Sequence, residues 1–248
     1  MSDSSALSAF DNFHIVLVEP QQSLNVGSVA RAMANLGFQH LHLVAPRGYD
    51  KERAKITACG GDFLLDSLTV HEHFTDMLAS MQEVIGFAMR TGENPAHFTT
   101  LPQLVTGLSA APPRQIALVF GPEDSGLRNE HLAQCSRVVR IPSAPQCPSL
   151  NLSQAVLVVL YELTRTLPAG LSTASDDVPT WNEFYQLDRL IDSVMTESGF
   201  VRVGTPSPAP ALVKNLFRRF SLNRHEVSVL LGFFGRVSRV LVRSHPNE

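Results

Sequence analysis

Three segments of the chain place polar or charged side chains directly after a predicted strand, where α/β proteins keep their ligand sites. The first is EPQQSLNVGSVARAMANLG at 19–37, in which a polar loop leads into a helix that begins near Asn25. On that helix Ser28, Arg31 and Asn35 share a polar stripe opposite an apolar one. An arginine near a helix start can bind a phosphate through two parallel hydrogen bonds. An ordinary amphipathic helix with solvated polar residues explains the same pattern.

The second segment is LVFGPEDSGLRNE at 118–130, a buried strand that runs into a turn containing Gly121. Glycine lets the backbone come close to a ligand, and Glu123 and Asp124 could orient one. Alternatively, Asp124 or Ser125 caps the following helix. The segment lacks the Lys-Ser/Thr ending of a P-loop, and no GxGxxG occurs to indicate a dinucleotide fold.

The third segment is IPSAPQCPSLNLSQAVLVVLYE at 141–162, where a proline-rich loop leads into a long helix. Asn151 or Ser153 is the predicted N-cap, and the first turn of the helix would offer free backbone amides to a polar ligand. A loop of this composition is also typical of a simple connection.

The elements that position these segments alternate between strands and helices, which predicts an α/β fold around a largely parallel sheet. The best helix covers Leu152–Arg165, and Gly37 is the predicted stop of the helix at the first segment. Strands are predicted at Phe13–Val18, Leu41–Val44, Leu68–His71, Val84–Met89, Ile116–Phe120 and Arg137–Ile141.

The predicted organisation is a flexible N-terminal tail at 1–12, a main domain at 13–165, a linker at 166–180 and a helical extension at 181–248. The linker is rich in small residues, Pro, Gly, Ser and Asp. In the extension, helices are predicted at Trp181–Met195 and Val213–Val242, on either side of a proline-rich turn. The extension is too small to bury its apolar faces without the main domain or a partner chain.

Composition bounds the protein class. The chain has 248 residues, of which 44% are hydrophobic and 17% charged, so a folded core is expected and disorder is not. No apolar stretch is long enough to span a bilayer, and the N-terminus lacks the layout of a signal peptide. Cys59, Cys135 and Cys147 lie far apart, which predicts free thiols in a reducing cytoplasm and no metal site.

The formal net charge of −3 does not indicate a nucleic-acid binder, but the charge is unevenly distributed. Between Lys214 and Arg243 the only acidic residue is Glu226. This basic region is predicted to contact RNA phosphates, and the alternative is a dimerising helical pair whose arginines are solvated. The predicted RNA-binding residues of the region are Lys214, Arg218, Arg219, Arg224, Arg236 and Arg239.

Taken in order, the motifs NxGxxxR at 25–31, FGPExxGL at 120–127 and IPxxxxxxSLNLSxA at 141–155 resemble the SPOUT methyltransferases. Within that superfamily the sequence is most similar to the TrmH-like branch, and above all to its tRNA cytidine/uridine 2′-O-methyltransferases of the anticodon loop. The resemblance covers about 13–165 with specific motifs and extends more loosely to the basic extension.

The resemblance implies an α/β sheet with a C-terminal trefoil knot, whose loops bind S-adenosylmethionine in a bent conformation without a metal. S-adenosylhomocysteine would be the product. It also implies a homodimer, in which Arg31 of one chain lies near the cofactor of the other. By resemblance, the cofactor-binding residues are Phe87, Ala88, Met89, Gly121, Ile141, Pro148, Ser149, Leu150 and Asn151.

The same resemblance assigns catalytic roles to four residues. Arg31 would act on the hydroxyl, Asn25 and Ser149 would position the ribose, and Glu123 would hold Arg31 or its loop. Because the pKa of arginine is above about 12, binding of the neighbouring phosphate is a better role for Arg31 than that of a base. The chain departs from its relatives after the middle strand, where Arg90 matches a first arginine but glycine replaces a second.

The function implied is S-adenosylmethionine-dependent 2′-O-methylation of tRNA in the cytoplasm, at nucleotide 32 of the anticodon loop. Two alternatives are methylation of ribosomal RNA and a non-catalytic RNA-binding protein with the same fold. An ordinary α/β nucleotide enzyme is disfavoured by the missing phosphate-binding signatures.

Overall fold

A computed structural model describes residues 10–89, 98–109, 114–167, 177–202, 207–220 and 222–244. The chain divides into two compact units, residues 1–174 and 175–248. This division falls inside the segment predicted as a linker, most of which lies outside the described residues.

The first unit is built around a seven-stranded sheet in which all the described strand pairs are parallel. Its order is β3-β2-β1-β6-β4-β7-β5. The elements are β1 (Phe13–Val18), α1 (Ser23–Leu36), β2 (His40–Val44), α2 (Lys51–Ala58), α3 (Asp62–Ser67), β3 (Thr69–His71), α4 (Phe74–Leu78), β4 (Glu83–Phe87), β5 (Phe98–Thr100), α5 (Leu101–Ser109), β6 (Ile116–Phe120), α6 (Asn129–Leu132), β7 (Arg137–Arg140) and α7 (Leu152–Thr166).

The sheet topology brings the site loops together. Strand β1 lies between β2 and β6, and its Leu17 is paired with Phe120 at the end of β6. Because parallel strands end at the same edge, the loops that follow β1 and β6 are neighbours. Every residue of β4 and β6 is buried, as expected for central strands covered on both faces.

The two long helices of this unit carry the first and third segments. Helix α1 ends at Gly37, which adopts the left-handed conformation with φ 81°, as predicted for a helix stop. Helix α7 is capped by Asn151, whose side chain accepts a hydrogen bond from the backbone N–H of Ser153. In the predicted apolar stripe of α7, Val156, Val159, Leu160 and Leu163 are fully buried, and Ala155 is partly buried.

Several predicted boundaries are wrong. Phe10 and Asn12 do not belong to a flexible tail: Phe10 is buried and stacks on Phe38, and the side-chain amide of Asn12 donates to the Arg114 carbonyl. Strand β4 begins at Glu83, one residue earlier than predicted, and ends at Phe87, two residues earlier than predicted. The short elements α2–α5 and β5 were not predicted, because helices of five to nine residues and a three-residue strand carry little periodicity.

A row of histidines crosses the β1–β2–β3 edge of the sheet. His14 Nδ1 lies 3.0 Å from His42 Nε2, His42 Nδ1 lies 3.1 Å from His71 Nε2, and His14 Nε2 lies 2.8 Å from Gln115 Oε1. A row in which each histidine donates from Nε2, ending at Gln115 Oε1, requires His14 and His42 to be neutral, because each then accepts at Nδ1. Burial lowers the pKa of His14 and His71, and burial together with the neighbouring histidines lowers the pKa of His42 to about 3.

The second unit consists of α8 (Trp181–Glu197), α9 (Ala209–Arg219) and α10 (Arg224–Ser244). Helix α8 packs on α10, with Leu187, Ile191 and Val227 buried. The prediction of a single helix at Val213–Val242 is wrong, because α9 ends at Arg219 and a new helix, α10, begins at Arg224. There the Asn223 side chain accepts from the Glu226 N–H, while the Glu226 carboxylate accepts from the Asn223 N–H, an arrangement that starts a helix.

None of the helices within the described residues combines the length and the apolar character needed to cross a bilayer.

Candidate active site

A network of hydrogen bonds joins the three segments. The side-chain amide of Asn25 in α1 donates to Glu123 Oε1 at 2.8 Å. The side-chain amide of Asn151 donates to Asn25 Oδ1 at 3.2 Å. Asn25 is therefore the link between the turn after β6 and the start of α7, and it is only 8% exposed.

Glu123 holds the loop after β1. Its carboxylate accepts from the backbone N–H of Gln21 at 2.9 Å and of Gln22 at 3.2 Å, in addition to the Asn25 amide. An ionised carboxylate accepts such bonds strongly, because hydrogen bonds to a charged acceptor are stronger than neutral ones. Of the two roles predicted for Glu123, holding Arg31 or its loop, the contacts show the second.

A cavity of about 190 Å³ lies between the ends of β4, β6 and β7 and the start of α7. All of the predicted cofactor-binding residues except Asn151 line it. Glu123, predicted as a catalytic residue, and Asp124, predicted to orient a ligand, also line it. The lining residues that were not predicted are Phe120, Pro122, Ser125, Gly126, Leu127, Leu152 and Ala155. The signal that could have found them is their position, since each lies in a strand end, the turn after β6 or the first turn of α7.

Two glycines of the sequence motifs are required because a side chain at either position would clash with neighbouring backbone atoms. A Cβ on Gly121 would lie 2.3 Å from the backbone of Gly126 and Leu127, and one on Gly27 would lie 1.9 Å from the Ala54 carbonyl oxygen. Gly121 therefore lets the turn fold tightly over the cavity, and Gly27 lets α1 and α2 touch. The predicted reason for Gly121, close approach to a ligand, missed this contact within the turn.

Two predicted roles need correction. Asp124 and Ser125 do not cap the next helix, because α6 begins only at Asn129, after a turn closed by the Gly126 N–H and the Pro122 carbonyl. The side chain of Asn151 bonds to Asn25 and Ser153, so here it organises the site and does not line the cavity. Ser149 does line the cavity and is exposed there.

Arg31 lies on the exposed face of α1, as its position in the polar stripe predicts. It does not line the cavity of its own chain, and none of the described residues forms an ion pair or a hydrogen bond with its side chain. The guanidinium is therefore available to a partner outside the chain.

The basic residues of the second unit are less available than their sequence predicts. Lys214 pairs with Asp192 at 2.6 Å, Arg218 with Asp188 at 2.5 Å and Arg224 with Glu183 at 2.8 Å. The three acids lie in α8. The sequence prediction counted charges only within 214–243 and therefore did not include them. Arg236 and Arg239 are exposed, whereas Arg90 and the side chain of Arg219 lie outside the described residues.

A profile of the SpoU rRNA Methylase family matches residues 12–161. The match spans the parallel sheet, the cavity and all three segments of the network. The chain belongs to the SpoU rRNA Methylase family. The SpoU-family match ends at residue 161, before the second unit. Similarity that includes α8–α10 therefore comes from relatives that match over a longer part of the chain.

Two curated relatives of this SpoU-family chain extend over most of its length. A protein of Citrobacter koseri is 31% identical over 240 residues, which is 92% of this chain and 97% of the relative. A protein of Yersinia enterocolitica is 29% identical over 239 residues, which is 92% of each chain. Both are named tRNA (cytidine/uridine-2′-O-)-methyltransferase TrmJ.

Solved structures confirm the predicted SPOUT fold, while the knot stays a prediction. TrmJ from Z. mobilis ZM4 superposes with a TM-score of 0.73 at 27% identity and covers 90% of this chain and 98% of its own. A structure described as giving insight into 2′-hydroxyl methylation of C/U34 on tRNA has a TM-score of 0.51 at 33% identity. It covers 62% of this chain and 95% of its own.

Proposed function

We propose that this chain is a methyltransferase that moves a methyl group from S-adenosylmethionine to the ribose 2′-hydroxyl of a cytidine or uridine in tRNA. The observation that carries the proposal is the convergence of Asn25, Glu123 and Asn151 beside one cavity at the carboxyl edge of the sheet. Similarity to the curated tRNA methyltransferases over 92% of the chain supports tRNA as the substrate. No comparable finding favours ribosomal RNA or a non-catalytic role.

The cavity has the chemistry that the cofactor requires. Its apolar walls, which include Ile141, Leu150 and Leu152, suit an adenine ring, and the turn 121–126 offers backbone groups and side-chain oxygens at one end. When bound, the cofactor supplies a methyl group on a positively charged sulfur, which becomes neutral once the methyl has left, and S-adenosylhomocysteine remains.

The residues around the cavity act mainly by positioning. Glu123 and Asn25 fix the loop after β1 and the start of α1, and Ser149 places a hydroxyl at the cavity wall, where it can contact the ribose. Holding two reactants in line can supply about 7–11 kcal/mol of a reaction barrier. The Arg31 guanidinium binds the phosphate next to the acceptor and stabilises the hydroxyl as it loses its proton, which leaves to phosphate or water.

The site is completed by a second copy of the chain. Arg31 does not line the cavity of its own subunit, which supports the proposal that a neighbouring subunit presents it. Helix α7, which packs on α1, exposes Leu157, Val158 and Tyr161, and these apolar side chains suit a homodimer contact. The enzyme would work in the cytoplasm, and the exposed Arg236 and Arg239 would add phosphate contacts to tRNA.

The proposed acceptor is nucleotide 32 of the anticodon loop. Position 34 is the second candidate, because the structure whose description concerns C/U34 shares 33% identity with this chain. That structure covers 62% of this chain, whereas the relatives named tRNA (cytidine/uridine-2′-O-)-methyltransferase TrmJ cover 92% of it. Their name supports a cytidine or uridine of tRNA, and the experiment below separates position 32 from position 34.

The test is methyl transfer to anticodon stem-loops and full tRNA transcripts, read by mass spectrometry of nucleosides. We expect a 2′-O-methylated cytidine or uridine that disappears when nucleotide 32 carries a 2′-deoxyribose and remains when nucleotide 34 does. Loss only with the substitution at 34 would move the site. No transfer to any tRNA, or transfer only to a ribosomal RNA fragment, would overturn the proposal.

A further inference from the structure

Glu123 and Asp124 are the two acidic side chains among the described residues that line the cavity, and Asp124 is the more exposed of them. The other acid, Glu123, already accepts from the Gln21 and Gln22 backbone and from Asn25. For Asp124, Oδ1 accepts from the Ser125 hydroxyl at 2.8 Å, and a carboxylate offers about four acceptor positions in all.

The fold does not need the Asp124 carboxylate. The turn that carries it is closed by a backbone bond from Gly126 to Pro122, and α6 begins later, at Asn129. The side chain is nevertheless oriented, because the Ser125 hydroxyl donates to its Oδ1 at 2.8 Å. Hydrogen bonding from Gln21, and then from Ser125, lowers the pKa of Asp124, so the group is an anion at neutral pH.

The cavity wall has two chemically different ends. Apolar side chains from β4, β6, the loop after β7 and α7 form one end, which suits the adenine. Glu123, Asp124 and Ser125 form the other, and no Lys, Arg or His belongs to the described lining residues. A positively charged ligand group would therefore meet an anion whose neighbouring cation, Arg47, does not line the cavity.

We infer that Asp124 binds the α-ammonium group of the amino-acid part of the methyl donor and so fixes which end of the cofactor lies at the turn after β6. This inference rests on the proposed function. It makes Asp124 a residue that contacts the cofactor and distinguishes ligands that carry the amino-acid part from those that do not.

The experiment pairs one protein change with one ligand change. Binding of S-adenosylhomocysteine and of 5′-methylthioadenosine, which lacks the amino-acid part, is measured by calorimetry for the wild type and for Asp124→Asn. Glu72→Gln is the matched control, because Glu72 is an exposed acid of the first unit that does not line this cavity. Circular dichroism checks that all variants fold.

We expect Asp124→Asn to weaken S-adenosylhomocysteine binding about fivefold, the upper limit for an exposed ion pair, and to leave the affinity for 5′-methylthioadenosine within about twofold. Glu72→Gln should change neither. An unchanged affinity for S-adenosylhomocysteine, or equal weakening of both ligands, would overturn the role of Asp124 while leaving the proposed function intact. Failure of the wild type to bind either ligand, or S-adenosylmethionine, with or without tRNA would instead contradict the proposed function.

Discussion

Acidic side chains bind different kinds of groups in the two units. In the first unit Glu123 binds backbone amides and Asn25, and Arg31 on the same helix remains exposed to an outside partner. In the second unit Asp188 and Asp192 bind Arg218 and Lys214 directly. A cation is available to RNA only where the fold leaves it without a carboxylate. The availability of each charge is therefore a better guide to an RNA contact than the number of basic residues.

The largest effect is expected at Arg31, an exposed cation on helix α1. Arg31→Ala should lower methylation at least about 100-fold, because an interaction with developing charge at the acceptor is lost, and should leave cofactor affinity within about twofold. Single-turnover methylation and calorimetry measure the two quantities. Arg53→Ala, at an exposed arginine of α2, is the control and should retain activity. Unimpaired turnover in the Arg31 variant would remove the proposed role.

Acid should destabilise the first unit more than the second, because only the first contains the His14–His42–His71 row. The folded pKa of His42 is about 3, below the 6.5 of an unfolded histidine, so the unfolded state binds more protons below pH 6.5. Stability is thus complete above pH 6.5 and falls as the pH is lowered towards 3. Between pH 7 and pH 5 we expect a loss of about 2 kcal/mol from His42 alone.

Urea unfolding at the two pH values measures this loss. The single Trp181 lies in the second unit, so its fluorescence midpoint should change less with pH than the midpoint followed by circular dichroism. His42→Gln should flatten the pH dependence, whereas His73→Gln, at an exposed histidine, should not. An equal pH response of His42→Gln and the wild type would contradict the requirement for neutral rings.

The smallest effects are expected in the basic helices, and they separate free from paired arginines. Arg236→Ala or Arg239→Ala should each weaken tRNA binding about twofold to threefold and reduce the salt dependence by about one released ion. Arg218→Ala should leave tRNA affinity within about twofold but lower Tm, since it leaves the largely buried Asp188 without its partner. Filter binding at several salt concentrations decides this. Equal losses of tRNA affinity in Arg218→Ala and Arg236→Ala would show that the ion pairs with α8 break when tRNA binds.

Much of the fold was predictable because its signals are local. Strands such as Ile116–Phe120 are short apolar runs, Gly37 marks a helix end, and Asn151 is an N-cap visible from residue type alone. Short helices such as α3 and the three-residue β5 carry no comparable periodicity. The packing of Phe10 on Phe38 depends on a contact between distant residues, so the sequence pattern assigned Phe10 to a tail.

Most of the residues that line the cavity were predicted, whereas the hydrogen bonds between their side chains were not. Gly121 was assigned from its place after a strand, and Ser149 and Leu150 were assigned by resemblance to the SPOUT methyltransferases; all three line one cavity. Which side chain Glu123 would bind, or that Asn151 would reach Asn25 across 126 positions, depends on the order of the strands. The pairing of Arg218 with Asp188 is likewise a contact between two helices, which a count of charges along one segment does not contain.

The most direct test of the account asks whether Glu123 and Asn151 act as one unit through Asn25. Glu123→Gln weakens the charged acceptor, and Asn151→Ser keeps a capping oxygen for α7 while removing the amide that donates to Asn25. Each should lower kcat/KM for tRNA methylation about tenfold, and the double variant should be within about threefold of the worse single variant. Losses that multiply to about 100-fold in the double variant would mean that the two residues work independently, and that no such network organises the site.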